Sequence, residues 1–182
     1  KEGSSLVSFY VAKHNYENAL NGMGRTLLVR KACYDTHQWH GSTVNAYASS
    51  AIDSWLNSTY KNLLDADIRG VLGATKIKYT PGNGTSTVGT LTRAIFLLSA
   101  TELGATADAA NAEGTALECA STLQVAYKNN GSMAVQQWTR TPKRDTASAV
   151  YYLSSSGAID YNGPAYLYGA RPAFTLPSTL LV

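Results

Sequence analysis

The sequence carries little charge. Only 15% of its 182 residues are Asp, Glu, Lys or Arg, whereas soluble domains average about 25%. The 15 basic and 12 acidic residues leave a net charge of +3, and they are interspersed apart from an acid-only stretch from Glu102 to Glu118. The chain therefore lacks the basic footprint of a nucleic-acid-binding protein, and we expect no nucleic-acid partner.

Long hydrophobic runs are missing too. No stretch approaches the roughly 18 apolar residues of a membrane-spanning helix, so we expect no membrane insertion. The hydrophobic content of 45% and the small net charge exclude a disordered chain. A chain of 182 residues is long enough to bury a core without disulfides or a metal. We expect residues 1–182 to form a single domain that belongs to a longer protein.

Cysteines and metal-ligand patterns are sparse. Cys33 and Cys119 are the two cysteines, and the sequence leaves open whether they are free thiols, a disulfide or a catalytic group. His37 and His40 lie three residues apart beside Asp35, which on a helix would place two ligands on one face. The neighbouring residues are typical of a loop and supply no further ligands. We therefore expect exposed loop histidines, no metal and no cofactor.

Catalytic motifs are absent as well. The chain contains no G-x-S-x-G elbow, no H-E-x-x-H, no P-loop and no G-x-G-x-x-G after a strand. The 12 acids leave room for a carboxylate pair of the glycosidase type, because the sequence does not give their distances in space. We expect a non-catalytic protein and keep a cell-wall or capsule glycan hydrolase as the alternative.

Small polar residues and tyrosine replace the missing charge. Thr, Ser and Asn supply 47 of the 182 residues, and 12 Tyr stand against three Phe. An apolar stripe at helical spacing over 44–56 predicts a helix with Ser42 or Thr43 as its N-cap. Ser99 and Glu102 form a capping box that opens a short helix. Further helices are predicted over 64–72 and 116–127, and strands over 6–12, 26–32, 75–79 and 91–98.

The last third of the chain predicts a cluster of short strands. They are expected over 135–140, 149–153, 158–161 and 170–176, with a hairpin turn at 154–157. Strands, then helices, then strands again favour an α+β fold over a parallel βαβ repeat.

Tyrosines in this last third lie among Ser, Asn, Asp and Gly, at positions 151, 152, 161, 166 and 168. Tyr offers a large contact area at low entropic cost, and small polar residues offer adaptable hydrogen bonds, which is the composition of recognition loops. The alternative is that these are strand residues with half-buried rings. For the cluster as a whole we favour a recognition surface.

Several segments, in the order in which they occur along the chain, resemble one known family. They are Gln38-Trp39, the segment from Val44 to Asn57, Ile95–Ser99, Trp138–Pro142 and Gly169–Ser178. Together they resemble an uncharacterised domain family of phage tail proteins and gut-bacterial surface proteins, over nearly the whole chain. That family is similar to the C-type-lectin-like fold shared with formylglycine-generating enzymes and variable phage receptor-binding proteins.

The resemblance implies a compact α+β domain of small mixed or antiparallel sheets with two or more helices, whose final strands frame a ligand surface. Segments 138–142 and 171–174 would be scaffold, with Arg171 holding backbone or a carboxylate inside, and 143–168 would carry the binding loops. The calcium signatures Glu-Pro-Asn and Trp-Asn-Asp are absent, as is an oxidase-like cysteine pair. Calcium-dependent sugar binding and formylglycine chemistry are therefore not expected.

We predict a non-catalytic binding domain, on a virion tail or a cell surface, that recognises a host protein or glycan through its C-terminal loops. Tyrosines would act as packing anchors and polar residues would set orientation. The predicted ligand-binding residues are Arg144, Asp145, Tyr151, Tyr161, Asn162, Tyr166 and Tyr168. Besides the hydrolase, the other alternative is a structural tail domain whose tyrosine-rich surface is buried in a homo-oligomer.

Overall fold

Short strands dominate the computed structural model, which describes residues 1–128 and 133–180. About 32% of the chain is strand and 19% helix, in several small sheets, so the predicted α+β class is confirmed. The strands are β1 (Phe9–Lys13), β2 (Arg25–Arg30), β3 (Thr36–Gln38), β4 (Thr75–Tyr79), β5 (Gly89–Arg93), β6 (Ile95–Phe96), β7 (Ala126–Tyr127), β8 (Ala134–Val135), β9 (Gln137–Pro142), β10 (Val150–Leu153), β11 (Ile159–Asn162), β12 (Leu167–Gly169) and β13 (Ala173–Pro177). The helical segments are Asn18–Asn21, Tyr47–Ser49, Ala51–Trp55, Leu56–Tyr60, Lys61–Leu63, Ala66–Val71, Ala120–Gln124 and Ser178–Leu180. Within the described residues, no helix has the length and apolar character to cross a bilayer.

One sheet joins the early and late parts of the chain. Its strand order is β1-β2-β13-β6, and every pair is antiparallel. Ala173 on β13 lies opposite Val29 on β2, and the Phe9 and Phe174 rings pack 5.2 Å apart between centroids. Apolar residues on both strands form part of the buried core, so this pairing ties the two ends together.

The second sheet contains most of the segment predicted to bind ligand. Its order is β11-β10-β9-β12-β3, with β12 parallel to β9 and the other pairs antiparallel. All six residues of β9 are buried, as expected for a central strand. The predicted turn at 154–157 joins β10 to β11 and places Tyr151 opposite Tyr161 and Tyr152 opposite Asp160. Strand β12 was not predicted. Two further strand pairs, β4 with β5 and β7 with β8, lie outside this sheet.

The predicted helix over 44–56 starts later than expected. Its apolar stripe is real, since Tyr47, Ile52 and Leu56 are buried, but the N-cap is Ser50, whose Oγ accepts from the Asp53 amide at 3.1 Å. Ser42 or Thr43 as the cap is therefore wrong. The reason is tertiary, because Asn45 instead binds the loop after β9, where its backbone amide donates to the Ala147 carbonyl at 3.0 Å.

The single strand predicted over 91–98 is also wrong. It divides at Ala94 into β5, which pairs with β4, and β6, which pairs with β13. The Asn57 side chain causes the break, because its Oδ1 accepts from the amides of Ala94 and Ile95, at 3.2 and 3.1 Å. Backbone donors used in this way are not free for a continuous ladder.

The capping box of Ser99 and Glu102 is confirmed in geometry. Ser99 Oγ accepts from the Glu102 amide at 3.0 Å, and Glu102 Oε2 accepts from the Ser99 amide at 2.9 Å. It closes a turn instead of opening a helix. The Glu102 carboxylate is shared with the buried Arg140 guanidinium, whose Nη1 lies 2.6 Å from Oε2.

Arg171 has the internal role that the resemblance implied. Its guanidinium donates to the carbonyl oxygens of Arg30, Lys31 and Leu123, each at 2.8 Å. It thus joins β2 to the helix Ala120–Gln124 behind the second sheet.

Cys33 and Cys119 are both free thiols, and burial raises the pKa of Cys33 to about 11.

Candidate functional site

The seven predicted ligand-binding residues lie around the β10–β11 hairpin, but on two different sides of it. Side chains of successive strand residues point to opposite faces of a sheet. Tyr151 and Tyr161 form a cross-strand pair on one face, whereas the Tyr152–Asp160 pair lies on the other. The loop residues Arg144 and Asp145 accompany the first pair, and the other three predicted residues, Asn162, Tyr166 and Tyr168, accompany the second.

We call the second surface the tyrosine face and define it by Tyr152, Asp160, Asn162, Tyr166 and Tyr168. Tyr168 is its centre, with its ring centroid 4.4 Å from that of Tyr152 and 6.2 Å from that of Tyr166. Asn162 Nδ2 donates to the Tyr168 hydroxyl at 2.8 Å, and the Tyr152 hydroxyl donates to Asp160 Oδ2 at 3.2 Å. The result is a layer of aromatic rings with a polar rim.

A buried tryptophan, Trp138 on the neighbouring strand β9, packs beside the rings of the tyrosine face, opposite Tyr152. The Trp138 ring lies 4.7 Å from Tyr168 and 6.1 Å from Tyr152 between centroids. Its Nε1 donates to the His37 carbonyl at 2.9 Å, which fixes the ring against β3. Desolvation raises the pKa of Tyr152, so this hydroxyl stays protonated and can act as a donor at neutral pH. Tyr166 is the outermost ring, with 56% of its surface exposed.

We call the surface on the other side the lysine cleft and define it by Asp108, Lys143, Asp145, Tyr151 and Tyr161. It is a cavity of about 360 Å³. Lys143 Nζ lies 4.9 Å from the Tyr161 ring centroid and forms an ion pair with Asp145. Their mutual hydrogen bond raises the pKa of Lys143 and lowers that of Asp145, which keeps both groups charged.

Tyr151 is the member of the predicted set that the structure buries. Only 3% of its surface is exposed, whereas Tyr152, the next residue on the same strand, is half-buried. The Tyr151 ring meets the Tyr161 ring edge-on at 6.1 Å. Its predicted role as an exposed anchor therefore changes to that of a wall which supports the half-exposed Tyr161.

Asn45 holds the loop that forms one side of the cleft. Its side chain is fully buried, and Nδ2 donates to the carbonyls of Lys143, Thr146 and Ala149 at 3.2, 2.8 and 2.8 Å. On the cleft side, Arg144 Nη2 donates to the Asp108 carbonyl at 2.8 Å. Loop 143–149 is thus held in place before any ligand arrives, which lowers the entropic cost of binding.

Several residues of these surfaces were not among the predicted set, namely Tyr152, Asp160, Lys143, Asp108 and Asn45. The turn at 154–157 carried the signal for one pair, because hairpin register places 152 opposite 160. No local signal points to Asn45, since its partners lie about 100 positions further along the chain.

The histidines differ from expectation. His37 lies on β3 and is half-buried, with its ring 3.8 Å from the Trp55 ring, and desolvation lowers its pKa. His40 Nδ1 accepts from the Ala51 amide at 3.1 Å. His40 lies in a loop as predicted, but neither residue is exposed, because aromatic packing holds the ring of His37 and a backbone bond holds that of His40. Among residues 1–128 and 133–180, no group of three or more His, Cys, Asp or Glu side chains comes together as metal ligands.

The structure does bring two carboxylates together, but away from any surface. Glu102 and Glu113 both contact Arg140, at 2.6 and 3.8 Å, and all three side chains are at most 1% exposed. Desolvation raises the pKa of Glu113. A hydrolytic pair must reach substrate and water. This pair instead neutralises the buried side chain of Arg140 on β9.

Comparison with protein-family models matches residues 23–178 to a domain of unknown function, DUF6273. Comparisons with curated proteins and with solved structures give no significant match. The matched range contains every residue of the tyrosine face and of the lysine cleft.

Proposed function

The chain belongs to the DUF6273 family, and we propose that this member is a non-catalytic binding domain that recognises a glycan or protein on a host-cell surface. The tyrosine face is the contact surface, and the lysine cleft flanks it. The observation that carries this proposal is the stacked Tyr166–Tyr168 pair, with Tyr166 56% exposed above a layer fixed by Trp138. A rigid aromatic surface with hydrogen-bonding groups at its rim suits recognition.

Polar side chains at the rim of the tyrosine face also support a role in recognition. Asp160 and Asn162 at the rim each use one side-chain oxygen on a neighbouring backbone amide, at 2.8 Å. The other polar atoms of these side chains, Asp160 Oδ2 and Asn162 Nδ2, bind the hydroxyls of Tyr152 and Tyr168, so the polar groups of the rim are held in fixed positions. Fixed polar groups around aromatic rings provide specificity, while the rings provide contact area.

We further propose a C-type-lectin-like arrangement. Two features support it. The late strand β13 pairs with the early strand β2, and the β10–β11 hairpin comes after β9 and before β13 in the chain, so it is flanked in sequence by the two buried scaffold segments. The proposed parent is a phage tail or bacterial surface protein, which would display the domain on a virion or a cell and could assemble as a homo-oligomer.

The test uses the labelled protein and a panel of intact gut-bacterial cells. We expect saturable binding to some cells of the panel. Mild periodate treatment of those cells would remove binding if the ligand is a glycan, and protease treatment would remove it if the ligand is a protein. Absence of saturable binding across the panel, at micromolar protein, would count against the proposed function.

A further inference from the structure

A buried carboxylate lies in a socket on the side of the molecule formed by β2 and the helical region. Glu2 Oε1 accepts from Arg30 Nε at 2.9 Å, and Oε2 accepts from Nη2 at 3.0 Å. The Tyr60 hydroxyl donates to the same Oε1. This bidentate contact is the geometry in which arginine binds carboxylates most specifically.

The socket does not depend on Glu2 for its shape. Arg30 Nη1 donates to the carbonyls of Ala32 and Cys33, at 2.7 and 2.8 Å. The guanidinium also lies 5.5 Å from the Tyr34 ring centroid. These contacts leave Nε and Nη2 directed at the position of the Glu2 carboxylate, so the donors are preorganised for a carboxylate.

The segment that supplies Glu2 is weakly attached elsewhere. We call residues 1–8 the N-terminal strap. Glu2 is its one buried residue, and Leu6 is 81% exposed. Bonds to the body include those from the Gly3 amide to the Leu63 carbonyl and from the Asp65 amide to the Lys1 carbonyl. With so little buried surface besides Glu2, the segment is held mainly by the Glu2 carboxylate, so it opens when another carboxylate takes that position. The strap also lies outside the family match of 23–178.

Cavities border the strap on both sides. One of about 400 Å³ lies beside Glu2 and Leu63, and another of about 310 Å³ lies beside Tyr10 and Tyr127. Arg30 contributes to the lining of both. Strap residues form part of the wall of both cavities, so a peptide that replaces the strap contacts the remaining walls on either side of the Arg30 guanidinium.

We propose that Arg30 and Tyr60 form a carboxylate-binding site, which Glu2 fills within the chain and which an acidic peptide of a partner occupies when the strap opens. The strap has the advantage of being tethered, which corresponds to an effective concentration of about millimolar or higher. A competing peptide gains the necessary affinity from its carboxylate together with side chains placed in the two adjoining cavities. This site is independent of the tyrosine face.

The test is chemical rescue in the full chain. Glu2→Ala empties the socket, and Glu2→Gln fills it with a neutral group of the same shape. We expect sodium acetate to raise the melting temperature of the Glu2→Ala protein saturably, beyond the effect of sodium chloride at equal ionic strength. Neither wild type nor the Glu2→Gln protein should show this acetate-specific rise, because their sockets are occupied.

A peptide with the strap sequence Lys-Glu-Gly-Ser-Ser-Leu-Val-Ser provides the second readout. It should bind the Glu2→Ala protein at least tenfold more tightly than the same peptide carrying Glu2→Gln. Equal responses to acetate and chloride, or equal affinity for the two peptides, would overturn the proposal. A Glu2→Ala protein that fails to fold would also overturn it, because the strap would then be an integral part of the body.

Discussion

Tyr151 and Tyr152 are neighbours on one strand, yet they belong to opposite surfaces. The Tyr151 ring contacts Tyr161 beside the lysine cleft, whereas the Tyr152 ring contacts Tyr168 at the centre of the tyrosine face. The β10–β11 hairpin therefore carries two candidate contact surfaces, and substitutions on one side leave the other intact. This separation allows each surface to be tested alone.

Asn45→Ala should destabilise the protein by about 3 kcal/mol, because three carbonyls of loop 143–149 lose a buried donor. Hydrogen exchange of the amides in that loop should accelerate more than in β13. Asn62→Ala is the matched control, since Asn62 is exposed. Denaturant unfolding gives the free energies, and a loss below about 0.5 kcal/mol would contradict the role assigned to Asn45.

Gly169→Ala should cost about 2–4 kcal/mol of stability. A Cβ at this position would lie 2.5 Å from Cys33 Sγ and 2.9 Å from the Gln136 carbonyl oxygen, so the β9–β12 contact must shift. Gly70→Ala is the matched control on the helix Ala66–Val71, where a Cβ meets nothing within 4 Å. That change should be neutral or stabilise by up to about 1 kcal/mol. Equal melting temperatures for the two variants would refute the steric argument.

Asp53→Asn should change how stability depends on pH. Desolvation raises the pKa of Asp53 from its usual 3.8 to about 6, despite the Arg93 Nε at 2.7 Å. The folded state therefore holds this proton more tightly than the unfolded state does. The associated stability is present below about pH 4 and is lost as the pH rises through 6.

The variant lacks this loss, so its free energy of unfolding relative to wild type should increase by about 2 kcal/mol between pH 4 and pH 7. Urea unfolding at the two pH values measures it. The exposed Asp67, changed to Asn in the same way, controls for the loss of one charge. A relative stability of the Asp53→Asn protein that falls over this interval would show that the Arg93 pair outweighs burial.

Local patterns in the sequence predict the features that depend on near neighbours. The hairpin turn at 154–157 forms as predicted, and so do the two hydrogen bonds of the capping box at Ser99 and Glu102, although the predicted helix does not follow it. The tyrosine-rich composition also marks the segment that forms the tyrosine face, because the aromatic rings of that face come from residues 152–168. These features need only neighbouring residues and the strand period.

Long-range hydrogen bonds explain why the predicted helix start and the predicted strand over 91–98 are wrong. Asn45 delays the helix start by binding residues about 100 positions away, and Asn57 divides the strand over 91–98 through the Ala94 and Ile95 amides. A single asparagine in the sequence carries no mark of such distant partners. The division of the seven predicted site residues between two sides has a different origin, because side chains alternate between the two faces along β10 and β11.

Cell binding by the Tyr166→Ala protein tests most directly whether the tyrosine face is the contact surface. Tyr166 is 56% exposed, so its removal should leave the melting temperature unchanged. Met23→Ala is the control, because Met23 is 72% exposed and lies outside both surfaces and outside the cavities beside the strap. On cells that bind wild type saturably, we expect at least a tenfold loss of affinity for Tyr166→Ala, about 1.4 kcal/mol or more, and no loss for Met23→Ala. Wild-type affinity of the Tyr166→Ala protein would contradict the assignment of the tyrosine face as the contact surface.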